Sequence, residues 1–141
     1  MSGVFYMSVR GLRNHNPLNI KWDGVTQWNG QTGTDGTFVV FKSPEWGIRA
    51  GGKILNSYAR RGVTDIEQII STWAPPSEND TESYINSVVQ QMGRTLPNIS
   101  RYSVPDLITG GRLELVKAMI KHENGEQPFS DTLIQKGLDL A

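Results

Sequence analysis

The sequence predicts a single, mainly α-helical domain of the α+β class, spanning residues 1–141, with one small β hairpin. Apolar residues recur at helical spacing through most of the chain after residue 43. The apolar run TFVVF at 37–41 lies between Gly36 and Ser43-Pro44, as is typical of a short buried strand. A chain of 141 residues is long enough for one domain with its own core.

Loops are predicted for most of the first third of the chain. We expect the first dozen residues to form a strand or an irregular arm. Residues 13–22, RNHNPLNIKW, contain a Pro and too many Asn for regular structure, which predicts an ordered loop or simply a tight connection. Residues 23–35 are rich in Gly, Gln and Thr and are predicted as a long polar loop or a loose hairpin that includes Trp28.

Helices are predicted to dominate the rest. The first begins with Ser43 as its cap and Pro44 in its first turn, and ends at Gly62. Its Gly51-Gly52 pair costs roughly 1 kcal/mol per glycine relative to alanine, so we expect close packing against another backbone there.

Further capping patterns mark the later helices. Thr64 and Glu67 match a capping box for a second helix. A third helix carries Tyr84 and closes at Gly93, and Ser130 caps a last amphipathic helix.

The helix of greatest chemical interest is predicted at residues 113–125, LELVKAMIKHENG, with Gly125 ending it in a left-handed conformation. Glu123 follows Ile120 by three residues and Val116 by seven, which places it on the apolar side at the C-terminal end. The partial negative charge of that helix end and burial both favour a protonated carboxyl, the state that a general acid requires. The alternative is that Glu123 curls into solvent.

Composition excludes several function classes. Fourteen basic and fourteen acidic residues cancel, so nothing indicates a nucleic-acid partner or an acidic membrane. The absence of cysteine excludes thiolate metal sites and thiol nucleophiles, and two histidines are too few for a histidine-rich site, so we expect no metal and no cofactor. No stretch approaches a membrane span or a signal peptide, so we expect no membrane insertion and synthesis in the cytoplasm without a signal.

The polar side chains that remain suit a sugar polymer. Phosphate-binding, dinucleotide-binding and nucleophile-elbow motifs are all missing. Carboxylates occur among Asn, Gln, Tyr and Trp, whose amides, hydroxyls and aromatic faces bind sugars, and cleavage of a glycosidic bond needs at least one well-placed acid. Trp46 and Trp73 are assigned to packing, as their size favours.

Three stretches occur in an order that is found in a known superfamily. They are NPLNI at 16–20, FVVFKSPEWGIRAGGKIL at 38–55 and WAPPSENDTESYINSVVQQMG at 73–93. This series resembles peptidoglycan-cleaving enzymes of the lysozyme-like superfamily, and phage-type lytic enzymes above all. In those enzymes an Asn-Pro loop precedes a hairpin, a helix follows, and a second loop leads into a Tyr-containing helix.

The position of the acid departs from the pattern of that superfamily. Its members carry the catalytic glutamate on a helix upstream of the Asn-Pro loop, whereas only twelve residues precede Arg13 here and none is glutamate. The segment AMIKHENG at 118–125 resembles the missing element. The simplest interpretation is a circularly permuted lysozyme-like domain, which is feasible because chain termini tend to lie close together.

The resemblance implies a lytic transglycosylase or muramidase that cleaves the N-acetylmuramic acid to N-acetylglucosamine linkage of bacterial peptidoglycan. Glu123 is the leading candidate for the general acid, and Glu78 and Glu45 are the runners-up. A transglycosylase needs no second carboxylate, whereas a hydrolase would take one from Asp35, Glu45 or Glu78. The candidate substrate-binding residues are Asn16, Asn19, Glu78, Asn79 and Tyr84.

Two other function classes fit the same sequence. One is a phage tail or virion component that binds peptidoglycan without cutting it and contacts other virion proteins, since a fold does not fix a function. The other is a helical interaction module without a sugar ligand. For the enzyme, we expect a phage product that acts on the cell wall in the periplasm, delivered by the virion or released through a holin.

Overall fold

The computed structural model describes residues 9–141. Part of the predicted N-terminal strand or arm, residues 1–8, lies outside the described residues. Where that prediction can be compared, it is wrong, because Arg10–Arg13 form a short helix, α1. The amides of Arg13 and Asn14 bond to the carbonyls of Val9 and Arg10, and Leu12 is fully buried. Core contact therefore supports a helix too short to be read from periodicity.

The predicted fold class is confirmed: the described chain is mainly helical and contains a two-stranded antiparallel hairpin. None of the helices within residues 9–141 has the length and apolar character needed to cross a membrane. After α1, the elements are β1 (Gln31–Thr34), β2 (Val39–Phe41), α2 (Pro44–Arg60), α3 (Ile66–Trp73), α4 (Thr81–Gly93), a 3₁₀ turn (Pro105–Leu107), α5 (Gly111–Asn124) and α6 (Asp131–Asp139).

Strand β1 of the hairpin lies in the polar region, residues 23–35, that is predicted as a long polar loop or a loose hairpin. Strand β1 pairs with β2 in a register that opposes Thr34 to Val39 and Gln31 to Phe41, with an irregularity between Gln31 and Gly33. The inner face of β2 is buried at Val39 and Phe41. The Val39 amide donates to the Ile20 carbonyl and the Val39 carbonyl accepts from Asn16 Nδ2, so these bonds hold the hairpin against the Asn-Pro loop.

Two helix pairs have the most extensive packing in the core, to which α3, the hairpin and the Asn-Pro loop also contribute. Helix α5 packs against α4, and α2 packs along α6. The predicted close packing at the glycine pair of α2 is confirmed. A Cβ at Gly52 would lie 2.9 Å from the Cβ of Ala141, and one at Gly51 would lie 2.2 Å from the Leu18 side chain. The partners are largely side chains rather than the backbone that we expected.

Of the three capping predictions, the one for α6 is confirmed and the one for α3 is wrong, while at α2 Ser43 takes the cap position but its side chain makes no capping bond. Ser130 caps α6 by accepting from the Leu133 amide at 3.1 Å, as predicted. The capping box of α3 is instead formed by Asp65 and Gln68, one residue later than predicted. Glu67 is engaged elsewhere, because its carboxylate pairs with Arg101 of the long connection between α4 and α5.

Candidate active site

The C-terminal end of α5 is held in one place by its last residues. Gly125 has a φ of 78° and donates its amide to the Lys121 carbonyl, so the predicted left-handed terminator is confirmed. The Asn124 side chain donates to the carbonyls of Ile120, at 2.9 Å, and Pro17, at 2.7 Å. The second of these bonds ties the helix end to the Asn-Pro loop.

The Glu123 carboxylate joins three elements. Its Oε1 accepts a hydrogen bond from Asn19 Nδ2 at 3.0 Å, and its Oε2 accepts one from the Tyr84 hydroxyl at 2.9 Å. Asn19 belongs to the Asn-Pro loop and Tyr84 to α4, while Glu123 itself lines an open cleft. The side chain is therefore fixed by two partners and does not curl into free solvent.

Asn16 shapes the loop and does not line the cleft. Its side chain is fully buried, with Nδ2 donating to the carbonyls of Ile20 and Val39 at 2.9 Å each and Oδ1 accepting from the Ile20 amide. Both the nitrogen and the oxygen of this amide are therefore hydrogen-bonded to backbone groups. The predicted contact between Asn16 and a substrate is thus corrected to a structural role.

Asn19 owes its direction to backbone conformation. Its φ is 53°, and His15 in the same segment has a φ of 52°. Asparagine is one of the few residues with a side chain that enters this left-handed region with some ease. The turn points the Asn19 amide toward Glu123 and into the wall of the cleft.

Tyr84 supports the carboxylate from beneath. Only 3% of the residue is exposed, and its ring stacks on that of His122 with centroids 3.8 Å apart. Burial raises the pKa of the Tyr84 hydroxyl well above its usual value, and the charge of Glu123 raises it further. The phenol therefore stays a protonated donor to Glu123, and its predicted contact with substrate is replaced by this supporting role.

The cleft in front of Glu123 has a volume of about 520 Å³ and combines apolar with polar walls. Such a combination suits a ligand that offers both flat CH surfaces and hydroxyl groups. Its aromatic lining consists of Trp28, Phe38, Tyr58 and Trp73. Its polar lining, besides Glu123, consists of Asn19, Lys21, Asp23, Thr72, Glu78 and Asn79.

The three residues predicted as a possible second carboxylate differ in whether they line the cleft. Glu78 lines the cleft, with 61% of its side chain exposed and 3.6 Å between its Oε2 and Lys21 Nζ. Asp35 closes the hairpin turn. A hydrogen bond from Arg10, with weaker contributions from the Phe38 amide and the Asn14 side chain, holds the pKa of its carboxyl far below the usual range. Glu45 lies in the first turn of α2 and, like Asp35, does not line the cleft.

Several lining residues were not predicted from the sequence. Trp73 packs against the core as we expected, but it also lines the cleft. Trp46 is confirmed as a packing residue, since it fills the space above Gly30. Of these residues, Trp28 could have been recognised from the sequence as a lining residue, because a large aromatic residue in a polar loop has few local packing partners. The remaining lining residues resemble ordinary core or surface residues in sequence.

The acidic and histidine side chains of the described residues are dispersed. Across residues 9–141, no three His, Asp or Glu side chains come together in a way that could hold a metal ion. Asp23, which lines the cleft, is engaged by its own turn, where the side chain and amide of Thr26 lower the pKa of its carboxyl.

Fold and site together define a class: a mainly helical α+β domain with an aromatic and polar cleft, in which the carboxylate at the C-terminal end of a helix is held by two hydrogen bonds. No protein-family model matches the chain. Protein P5 of Pseudoalteromonas phage PM2 is 44% identical over 137 residues, which cover 94% of this chain and 81% of the phage protein. The chain belongs to the same family as that phage protein. The name of that relative states no activity.

Proposed function

We propose that this protein is a peptidoglycan glycosidase, a lytic transglycosylase or muramidase, with Glu123 as its general acid. The observation that carries the proposal is the Glu123 carboxylate itself. It lies in a cleft with aromatic and amide walls and is fixed by Asn19 and Tyr84. Glycan chains need this kind of surface, and glycosidic cleavage needs one oriented acid.

The reaction begins with proton transfer from Glu123 to the glycosidic oxygen. The C1–O bond of N-acetylmuramic acid breaks, the N-acetylglucosamine hydroxyl leaves, and Glu123 becomes a carboxylate. Asn19 Nδ2 can only donate, so its bond to Oε1 stabilises that carboxylate. The buried Tyr84 hydroxyl adds a second donor at Oε2.

The second half of the reaction distinguishes the two enzyme types. In a transglycosylase, Glu123 takes the proton of the muramic acid 6-hydroxyl, whose oxygen attacks C1 and forms the 1,6-anhydro product. In a muramidase, water attacks instead, and a second carboxylate is needed to stabilise the cation or activate the water. Among the residues predicted for that role, Glu78 is the one that lines the cleft.

The proposal includes a circularly permuted lysozyme-like fold. In support, the end of α5 is hydrogen-bonded both to the Asn-Pro loop and to the Tyr84 helix. A catalytic helix upstream of that loop would have to meet the same two elements. The phage origin of the relative supports a phage product. We propose that this product acts on the cell wall in the periplasm, either carried by the virion or released at lysis.

Digestion of purified peptidoglycan sacculi, followed by mass spectrometry of the soluble products, tests this function. A transglycosylase releases muropeptides with anhydro ends, and a muramidase releases reducing ends, which are heavier by one water. Glu78→Gln should leave anhydro products unaffected but should strongly reduce reducing-end products. Binding to sacculi without any soluble product would instead identify a non-catalytic virion component.

A further inference from the structure

We propose that Gly11 is a positioning residue for Glu123, because its missing side chain lets the Asn19 amide and the end of α5 close on each other. Gly11 is buried in α1 and makes no hydrogen bond to Glu123 itself. It acts through Asn19. The kinetic part of this inference rests on the proposed function, but the structural part does not.

Three oxygen atoms converge on the side of Gly11 where a Cβ would be. A Cβ built there would lie 2.5 Å from Asn124 Oδ1, 2.7 Å from Asn19 Oδ1 and 3.0 Å from the Asn16 carbonyl oxygen. Contacts this short are inside the repulsive range for carbon and oxygen. Only the hydrogen of a glycine fits between these oxygens.

The two amide oxygens near Gly11 are unusual in another respect. Both are buried, and neither accepts a hydrogen bond from any residue in the range 9–141. Their amide nitrogens are committed, that of Asn19 to Glu123 and that of Asn124 to two backbone carbonyls. Each amide is thus oriented by its nitrogen, and its oxygen is left against Gly11, whose Cα–H groups offer only weak contacts.

An alanine at position 11 would have to displace one of these groups. The Asn16 carbonyl belongs to a loop whose backbone is held by the fully buried Asn16 side chain, so it yields least. The Asn19 and Asn124 side chains must therefore rotate or withdraw. Movement of Asn19 lengthens its bond to Glu123 Oε1, which removes one of the two contacts that orient the acid.

Gly11→Ala, compared with Gly137→Ala, tests the inference. Gly137 is a matched control, because its added Cβ would also meet a backbone oxygen, that of Glu45 at 2.8 Å, but at the crossing of α2 and α6. For Gly11→Ala we expect kcat on peptidoglycan to fall by about 10-fold or more with KM nearly unchanged. We also expect the side-chain amide resonances of Asn19 to shift in ¹⁵N NMR spectra. Gly137→Ala should lower stability without either effect.

A double and a triple variant keep the test decisive. In a background that already lacks the Asn19 amide (Asn19→Ala), the further change Gly11→Ala should reduce kcat by a smaller factor than it does alone, since both changes remove the Asn19 contact to Glu123. If Gly11→Ala alone does not fold, a triple variant that also carries Asn19→Ala and Asn124→Ala should regain a measurable unfolding transition, because both clashing side-chain oxygens are then removed. An unshifted Asn19 amide in Gly11→Ala, or a triple variant no better folded than the single one, would overturn the inference. A wild-type protein that cleaves no peptidoglycan would overturn the proposed function, while the NMR comparison would still decide the role of Gly11.

Discussion

At the residue scale, the two partners of Glu123 differ in kind. Asn19 lies in the cleft wall and donates a hydrogen bond through its amide nitrogen, which cannot act as an acceptor. Tyr84 is buried beneath the carboxylate, and its hydroxyl keeps its proton because burial raises its pKa and the charge of Glu123 raises it further. The site therefore combines one contact in the cleft wall with one contact inside the protein.

The raised pKa of Tyr84 predicts how stability depends on alkaline pH. The unfolded chain releases this proton near pH 10, while the folded protein still holds it. The free energy of unfolding is thus unaffected below about pH 10 and falls as the pH rises toward the folded-state pKa. Tyr84→Phe removes the ionisable group, so we expect a smaller fall in urea unfolding experiments between about pH 9 and 11.

Two other tyrosines bear on this measurement, one as a second buried group and one as an exposed control. Burial also raises the pKa of Tyr58, so part of the loss of stability at alkaline pH should remain in every variant. Tyr102 is 67% exposed, so Tyr102→Phe should leave the wild-type slope in place. An unchanged slope in Tyr84→Phe would contradict a buried, carboxylate-linked hydroxyl.

The sequence could place Glu123 but could not separate Asn16 from Asn19. Helical spacing and the glycine at 125 were enough to put Glu123 at the inner end of its helix. The two asparagines are chemically identical and three positions apart in one loop. Which of them faces the cleft depends on the positive φ of Asn19 and on the bond from Asn16 to Val39, a residue 23 positions away.

At the scale of the element, α5 ends where it does because of backbone conformation alone. A Cβ at Gly125 would have no atom within 4 Å, so only the φ of 78° opposes a larger residue. Left-handed backbone costs roughly 1–2 kcal/mol for a residue with a side chain. We therefore expect Gly125→Ala to lower the free energy of unfolding by about 1 kcal/mol in urea titrations.

Gly93, at the end of α4, is the matched control. It too has open space around its Cβ position, but it lies within the helix and lacks a positive φ. Gly93→Ala should be neutral or stabilising by up to about 1 kcal/mol, because alanine loses less backbone freedom on folding. Equal effects at both positions would contradict the assignment of Gly125 as the conformational stop.

The capping box of α3 shows what local patterns leave open. Thr64 with Glu67 and Asp65 with Gln68 both match the spacing of the motif. The choice depends on Arg101, which lies 34 residues beyond Glu67 and pairs with its carboxylate. No window of sequence around the helix contains that information.

At the scale of the whole molecule, the C-terminal helix closes the core. Ile134 of α6 is fully buried, and Gly137 lets the helix approach α2 closely. Deleting a buried isoleucine side chain to alanine typically costs about 2–5 kcal/mol. We expect Ile134→Ala to destabilise the protein within that range, and removal of residues 130–141 to cost more, as measured by thermal unfolding.

Leu140 provides the control for this helix. It is 43% exposed, so Leu140→Ala should change stability by less than about 1 kcal/mol. A truncated chain that unfolds at the wild-type temperature would show that α6 is not part of the cooperative unit.

The fold class could be predicted from periodicity, but the hydrogen bond between Asn19 and Glu123 could not. Asn19 and Glu123 meet across 104 residues of sequence, and no local pattern predicts a contact of that range. The resemblance to lysozyme-like enzymes supplied that expectation, because it treated the end of α5 as a displaced catalytic helix. The observed hydrogen bonds join Glu123 to the Asn-Pro loop and to α4.

The most direct test of the account compares Glu123→Gln with Glu45→Gln in the release of soluble muropeptides from purified sacculi. Glutamine keeps the shape of Glu123 but has no transferable proton, so turnover should fall by about 10²–10⁴-fold. Sedimentation with sacculi should be retained. Glu45 lies outside the cleft, so its variant should keep wild-type turnover. Wild-type turnover by Glu123→Gln would contradict the central claim that this carboxyl is the acid.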